Sequence, residues 1–244
     1  VQDENRVASL VLFEPYKGSL LGNTTGGFSS FDDYLGSVLV VAGSEDLTNN
    51  WNSSVRPWYQ QANGAPRRLW NLILGGDHFG CTDSDIHSLW GFGSLSEDSQ
   101  HLVHRQLATG FFLAELKGLE NHYHDYFQTP HSDKEAESTD TPLWVVIDPS
   151  SPNELSFGSF TREGRQLRIA GSLNTGSTQT VWGEFGLDLG SMRMAMNIYA
   201  DADGIEHSSG VINSSWQGLT LWFQALSNTG GVGKFSRVTS VTIP

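Results

Sequence analysis

With a single cysteine, Cys81, the chain cannot close a disulfide on itself. That lone thiol is expected to be a small buried hydrophobe. Lysine and arginine together number 14 against 27 acidic residues, which gives a formal charge of −13. A field of that sign repels phosphate backbones and anionic bilayers, so nucleic acid is not an expected partner. No uninterrupted apolar run approaches the ~20 residues that a membrane-spanning helix needs. The first residues, VQDENR, carry neither an initiator methionine nor a targeting pattern, and the start is expected to be processed or truncated. Also missing is any Gly-x-Ser-x-Gly sequence, the strand-to-helix elbow that exposes a nucleophilic serine. Apolar residues are plentiful, at 38% with 11% aromatic, so the 244 residues can bury the core of one large domain or two smaller ones.

Val7–Phe13, VASLVLF, is a continuous apolar run ended by Glu14–Pro15, and Val38–Ala42, VLVVA, is a second. Arg68–Leu74, RLWNLIL, is a third. Runs without alternation suit strands buried on both faces, the condition of a parallel sheet. Residues 16–36 are rich in Gly, Ser, Thr and Asp and read as loop. Val55–Ala62 reads as a helix, with Pro57 near its start. A long helix is expected from Leu95 to Gly118, with Ser94 and Glu97 at capping-box spacing and Gly118 as its stop. The resulting order of strands and helices predicts an α/β first half. HSDKEAESTDTP, 131–142, is charged and Pro-bounded and reads as linker. Beyond it, about seven short β-type segments separated by Gly, Asn, Asp and Ser predict a β-sandwich. The expected organisation is therefore 1–128, a linker over 129–141, and 142–244.

LILGGDHFGC, 72–81, places His78 just beyond the third strand, and Asp46 follows the second strand in VLVVAGSEDL. Loops after neighbouring parallel strands converge on one rim. A histidine base needs an acid there to fix its tautomer and stabilise its charged form. Asp46 is the candidate orienter of His78, with Glu45 and Asp77 as alternatives on the same turns. Trp51 and Phe79 are candidate substrate-binding residues. The cluster formed by Trp51, Trp58, Tyr59, Trp70 and Trp90 either lines an apolar acyl or aryl pocket or packs the core. His122, His124, Asp125 and His131 suggest zinc by type, but they lie in one run, and no metal is expected. DADG, 201–204, reads as a hairpin turn rather than a calcium loop. Trp144, Trp182, Trp216 and Trp222 are either a platform for a polymer surface or core of the second module.

SVLVVAGSEDL, RRLWNLILGGDHFG and RQLATGFFLAELKGLENHYHDYF resemble, in this order, the C-terminal part of an α/β-hydrolase. Secreted esterases of polyester-hydrolase, cutinase-like and dienelactone-hydrolase-like type are the nearest subset. The resemblance covers residues 7–128. It implies a mostly parallel sheet with a long closing helix. It also implies Asp46 as triad acid and His78, followed by Phe79, as triad histidine. Phe111, Phe112 and Leu116–Lys117–Gly118 match the family's closing helix. The second module weakly resembles β-sandwich modules that end secreted bacterial enzymes.

The expected activity is carboxylic ester hydrolysis through an acyl-enzyme, with no cofactor. The substrate is a small or polymeric ester, and the location is extracellular. The nucleophilic serine would come from a missing N-terminal segment or a partner chain. The alternative is a non-enzymatic surface or assembly protein built on a hydrolase-derived fold.

Overall fold

The structure is a computed structural model that describes residues 8–15, 34–82, 92–147, 151–161, 165–199, 204–229 and 232–244. The loop expected over 16–36, Trp90 and most of the DADG turn lie outside these residues, apart from 34–36 and Gly204. Two compact units divide between Glu135 and Ala136.

In the first unit β1 (Ser9–Phe13), β2 (Ser37–Gly43) and β3 (Arg67–Ile73) pair in parallel, Leu12 opposite Val40 and Val40 opposite Trp70. A fourth strand, β4 (Ser132–Ser138), joins on the far side of β3. The Leu74 N–H donates to the His131 carbonyl (2.8 Å), so the end of β3 meets the beginning of β4. Val38, Val40, Ala42, Trp70 and Leu72 alternate along one sheet face. A π turn (Trp51–Val55) running into α1 (Arg56–Gln61) covers that face with Val55, Tyr59 and Ala62. The long α2 (Glu97–Lys117) buries Val103, Leu107, Phe111 and Ala114 at helical spacing and contacts β1 and β2. Leu39, Val41, Leu69 and Ile73, on the alternate strand positions, are equally buried. With both faces covered, the strands have no polar side to show, which accounts for their unbroken apolar sequences. Gly118 ends α2 in the left-handed conformation (φ 68°), and the N-cap is Ser96.

The second unit is antiparallel throughout its described pairings. β5 (Leu143–Ile147), β6 (Glu154–Phe160) and β11 (Ile205–Val211) form one sheet. β7 (Gln166–Ser172), β10 (Arg193–Tyr199), β12 (Thr220–Thr229), β13 (Val232–Phe235) and β14 (Thr239–Thr242) form another. Leu143, Val145, Leu155 and Phe157 of the first share a core with Leu167, Ile169, Leu221 and Phe223 of the second. β8 (Thr175–Thr180) and β9 (Gly183–Leu187) make a separate hairpin.

The expectation of a mostly parallel α/β sheet with a closing helix is overturned for the chain as a whole. Strand residues account for 43% against 21% helix, and most pairings are antiparallel. Among the described residues no crossover helix joins the strands of the second unit, and β4 extends the sheet that holds the parallel pairs of the first. Residues 132–138, expected as linker, are that fourth strand. Among the described residues no helix is long and apolar enough to cross a membrane.

At the start of β3 the Arg67 guanidinium is buried between two carboxylates, Glu115 (3.2 Å) and Glu120 (2.7 Å). The Ser37 hydroxyl and the Tyr123 hydroxyl both donate to Glu115. Arg67→Met removes the guanidinium that balances these buried acids. It is expected to lower unfolding free energy by about 3–5 kcal/mol in urea titrations. In the second unit a side-chain carbon at Gly158 would lie 2.0 Å from the fully buried Trp144 indole. Gly158→Ala is therefore expected to cost at least the ~1–3 kcal/mol of core overpacking, read as a fall in thermal midpoint.

Candidate active site

The turns that follow β2 and β3 are stitched to each other through their backbones. Ser44 N–H donates to the Ile73 carbonyl (2.9 Å) and Glu45 N–H to the Gly76 carbonyl (2.8 Å). The Ser44 hydroxyl oxygen accepts from Gly75 N–H (2.8 Å). A side-chain carbon on Gly43 would lie 2.5 Å from the Gly76 carbonyl oxygen, so only glycine lets the two turns approach this closely. Gly75, at φ 78°, adopts the left-handed conformation that a side chain disfavours.

This stitching delivers Asp46 and His78 to one another. Asp46 Oδ2 lies 3.0 Å from His78 Nδ1, with the Asp46 side chain fully buried and the imidazole 25% exposed. Asp46 Oδ1 accepts two backbone N–H groups, from Thr48 and Asn49, each at 2.7 Å. Burial alone would raise the Asp46 carboxyl. The hydrogen bond from His78 and the Asn49 N–H outweigh it and hold the carboxyl below the ordinary aspartate range. An ionised Asp46 selects the tautomer with the proton on Nδ1, which leaves the Nε2 lone pair as the base. Among the described residues Nε2 has no hydrogen-bond partner.

Asp77 and Glu45, the alternative orienters, have other duties. Asp77 accepts from Phe79 N–H (2.8 Å) and Gly93 N–H (2.9 Å), folding the turn that carries His78. Gln100 of α2 accepts from Asp77 N–H (3.0 Å) and donates to the Leu95 carbonyl (2.8 Å), so the helix braces the same turn. Glu45 accepts the N–H and hydroxyl of Ser94. Phe79 packs edge-on against the His78 ring (5.0 Å between centroids) and is partly exposed. Trp51, expected beside the histidine, packs on Trp70 in the core layer (6.4 Å). Cys81 is exposed, contrary to its expected burial, because the turn after His78 leaves the sheet. His122 pairs with its neighbour Asp125 (2.9 Å) on the surface.

The residue that sequence reasoning missed is Glu14. It directly follows β1 as Asp46 and His78 follow β2 and β3, and its oxygens lie within 4.8 Å of their ligand-type atoms. Glu14 is 6% exposed, and neither carboxyl oxygen has a hydrogen-bond partner. Burial, and next the charge of Asp46, push its carboxyl up to about 10. Its backbone sits at φ 45°, a strained conformation for a non-glycine residue. The available signal was an acid between a buried strand and a proline.

By donor type, Glu14, Asp46 and His78 could ligate a divalent cation, and among the described residues they are the one such group. Both Asp46 oxygens and the His78 Nδ1 are already engaged in hydrogen bonds, which leaves Glu14 as the uncommitted donor. In the second unit a cavity of about 650 Å³ opens at the end of the shared core, lined by residues such as Phe157, Met196, Trp216 and Phe223. Among the described residues that line it, none is ionisable. No family model matches the chain, and no curated protein is similar to it.

Asp77→Ala is expected to leave the Phe79 and Gly93 N–H donors without their acceptor and cost about 1–3 kcal/mol. Hydrogen exchange should accelerate at the Phe79 and Gly93 amides while amides in the middle of β2 stay protected.

Proposed function

We propose that His78 and Asp46 are the general base and its orienting acid in the hydrolysis of a carboxylic ester, with a serine nucleophile supplied from outside these 244 residues. The observation that carries the reading is the 3.0 Å contact from Asp46 Oδ2 to His78 Nδ1, with the acid buried and the ring at the surface. This is the arrangement that proton transfer from a hydroxyl requires. His78 Nε2 accepts the serine proton as the oxygen attacks the ester carbonyl. The imidazolium, stabilised by Asp46, then returns that proton to the leaving alkoxide. In the second half-reaction the same nitrogen takes a proton from water, which attacks the acyl-serine; the imidazolium then gives that proton to the departing serine oxygen as the acid is released.

The acid-then-histidine order on successive strands supports the same reading, as does the motif resemblance to secreted esterases. Phe79, edge-on to the ring and partly exposed, offers an apolar contact for substrate beside the base. Export from the cell and an ester of small or polymeric kind belong to this proposal.

The test uses the protein expressed from its complete open reading frame, assayed on short p-nitrophenyl esters. His78→Ala is expected to lower kcat by about 10,000-fold or more, and Asp46→Asn by a similar factor through loss of the correct tautomer. Fluorophosphonate should label one serine in the unmodified protein. Undiminished turnover in His78→Ala would exclude the assignment. No turnover and no labelled serine would favour the non-enzymatic assembly role.

A further inference from the structure

We infer that Glu14 is a positioning residue of the His78–Asp46 pair: a protonated carboxylic acid seated behind Asp46 that holds the buried cluster at one negative charge and keeps that charge directed at His78 Nδ1. The inference deepens the acid–base reading above and rests on it.

β1, β2 and β3 run in parallel and in register, so the residues just past their ends meet at one rim. Three of these are Glu14, Asp46 and His78. Asp46 is satisfied by two backbone N–H groups and the imidazole, which stabilise its ionised form. Glu14 has no comparable support. Its side chain is buried, its oxygens lack hydrogen-bond partners, and it lies beside an existing negative charge. Two adjacent buried carboxylates facing one imidazole are not tenable together, so the unsupported one keeps its proton.

Charged and titratable groups face Glu14 from the neighbouring turns. Asp46 stands on the turn after β2, and Asp77, His78 and Cys81 stand on the turn after β3. His104 of α2 touches the preceding Phe13 ring (5.0 Å), and burial lowers its affinity for a proton. Asp46 and Asp77 oppose ionisation of Glu14.

The backbone shows that this placement is specific. Glu14 N–H donates to the Val41 carbonyl (2.9 Å), and the Asn49 side-chain amide donates to the Glu14 carbonyl (3.1 Å). The same Asn49 supplies one of the N–H groups held by Asp46. Glu14 and Asp46 are therefore locked through one residue, and Glu14 keeps its left-handed conformation within that lock.

The sign of the pH effect follows from a proton affinity raised on folding. Glu14 has a carboxyl that moves from 4.5 to about 10 on burial. The folded form retains the proton while the unfolded form releases it. Stability from this group is fully present below pH ~4.5 and declines as pH rises towards 10. The limiting effect is a tenfold weaker folding equilibrium per pH unit in that window.

The experiment compares the 244-residue chain with Glu14→Gln and Glu14→Ala. Urea unfolding between pH 5 and 9 reads the proton, and long-range ¹H–¹⁵N spectra of the imidazole read the His78 tautomer. Glu14→Gln, a neutral isostere, is expected to remove up to a tenfold-per-unit pH dependence and to keep the Nδ1–H tautomer. Glu14→Ala is expected to remove the same dependence and to shift His78 towards a mixture of tautomers. An unchanged pH dependence in Glu14→Gln overturns the protonated state. A wild-type tautomer ratio in Glu14→Ala overturns the positioning role alone. Absence of the Nδ1–H tautomer in the unmodified chain overturns the acid–base reading and this inference with it. Stabilisation by added Zn²⁺ that disappears in Glu14→Gln would assign the cluster to a cation and overturn the inference.

Discussion

The parallel register of β1, β2 and β3 is the constraint on which the rest of the first unit depends. It fixes which turns follow the strand ends at one rim, and therefore which side chains can meet. The hydrogen bonds between the turns then set the spacing to within hydrogen-bonding distance. A shift of two residues between β2 and β3 would leave every apolar face correctly buried and still carry Asp46 away from His78. The core tolerates such a shift better than the rim does, because burial is non-directional and a carboxylate–imidazole contact is not.

Electrostatics divides the first unit in two. At the beginning of β3 a buried cation, Arg67, is matched to two acids, Glu115 and Glu120. At the opposite end of the same strands, the buried acids Glu14 and Asp46 gather with His78. The first arrangement neutralises charge by pairing. The second does so with backbone N–H groups around Asp46 and with a retained proton on Glu14. A paired network favours a fixed structure, whereas a cluster with one shared charge is suited to moving a proton.

Much of the rim was legible in the sequence because it follows from simple signals. VLVVA and RLWNLI are apolar without alternation, which marks strands covered on both sides. Asp46 and His78 stand at the first polar turns after them. β4, β11 and β13 were not legible: SDKEAES, IEHSSGV and VGKF carry no apolar period, and each is held by backbone pairing with a neighbour. The expected mostly parallel architecture failed for the chain as a whole because most strands pair antiparallel, many of them with partners distant in the sequence, such as β7 with β12 and β6 with β11, which no local pattern reports. Within QTVWGEFGL a turn at Val181–Trp182 separates β8 from β9. Glu14 was passed over because an acid before a proline is commonly a loop residue, and its burial depends on contacts from two distant turns.

The close passage of Gly43 over Gly76 has a consequence for recognising kin. Because Gly43 has no room for a side chain there and Gly75 is left-handed, the two turns impose a spaced fingerprint: a glycine three places before the acid, and a glycine three places before the histidine. Such a fingerprint depends on backbone crowding rather than on overall likeness. It can therefore persist in chains whose remaining residues have diverged beyond comparison.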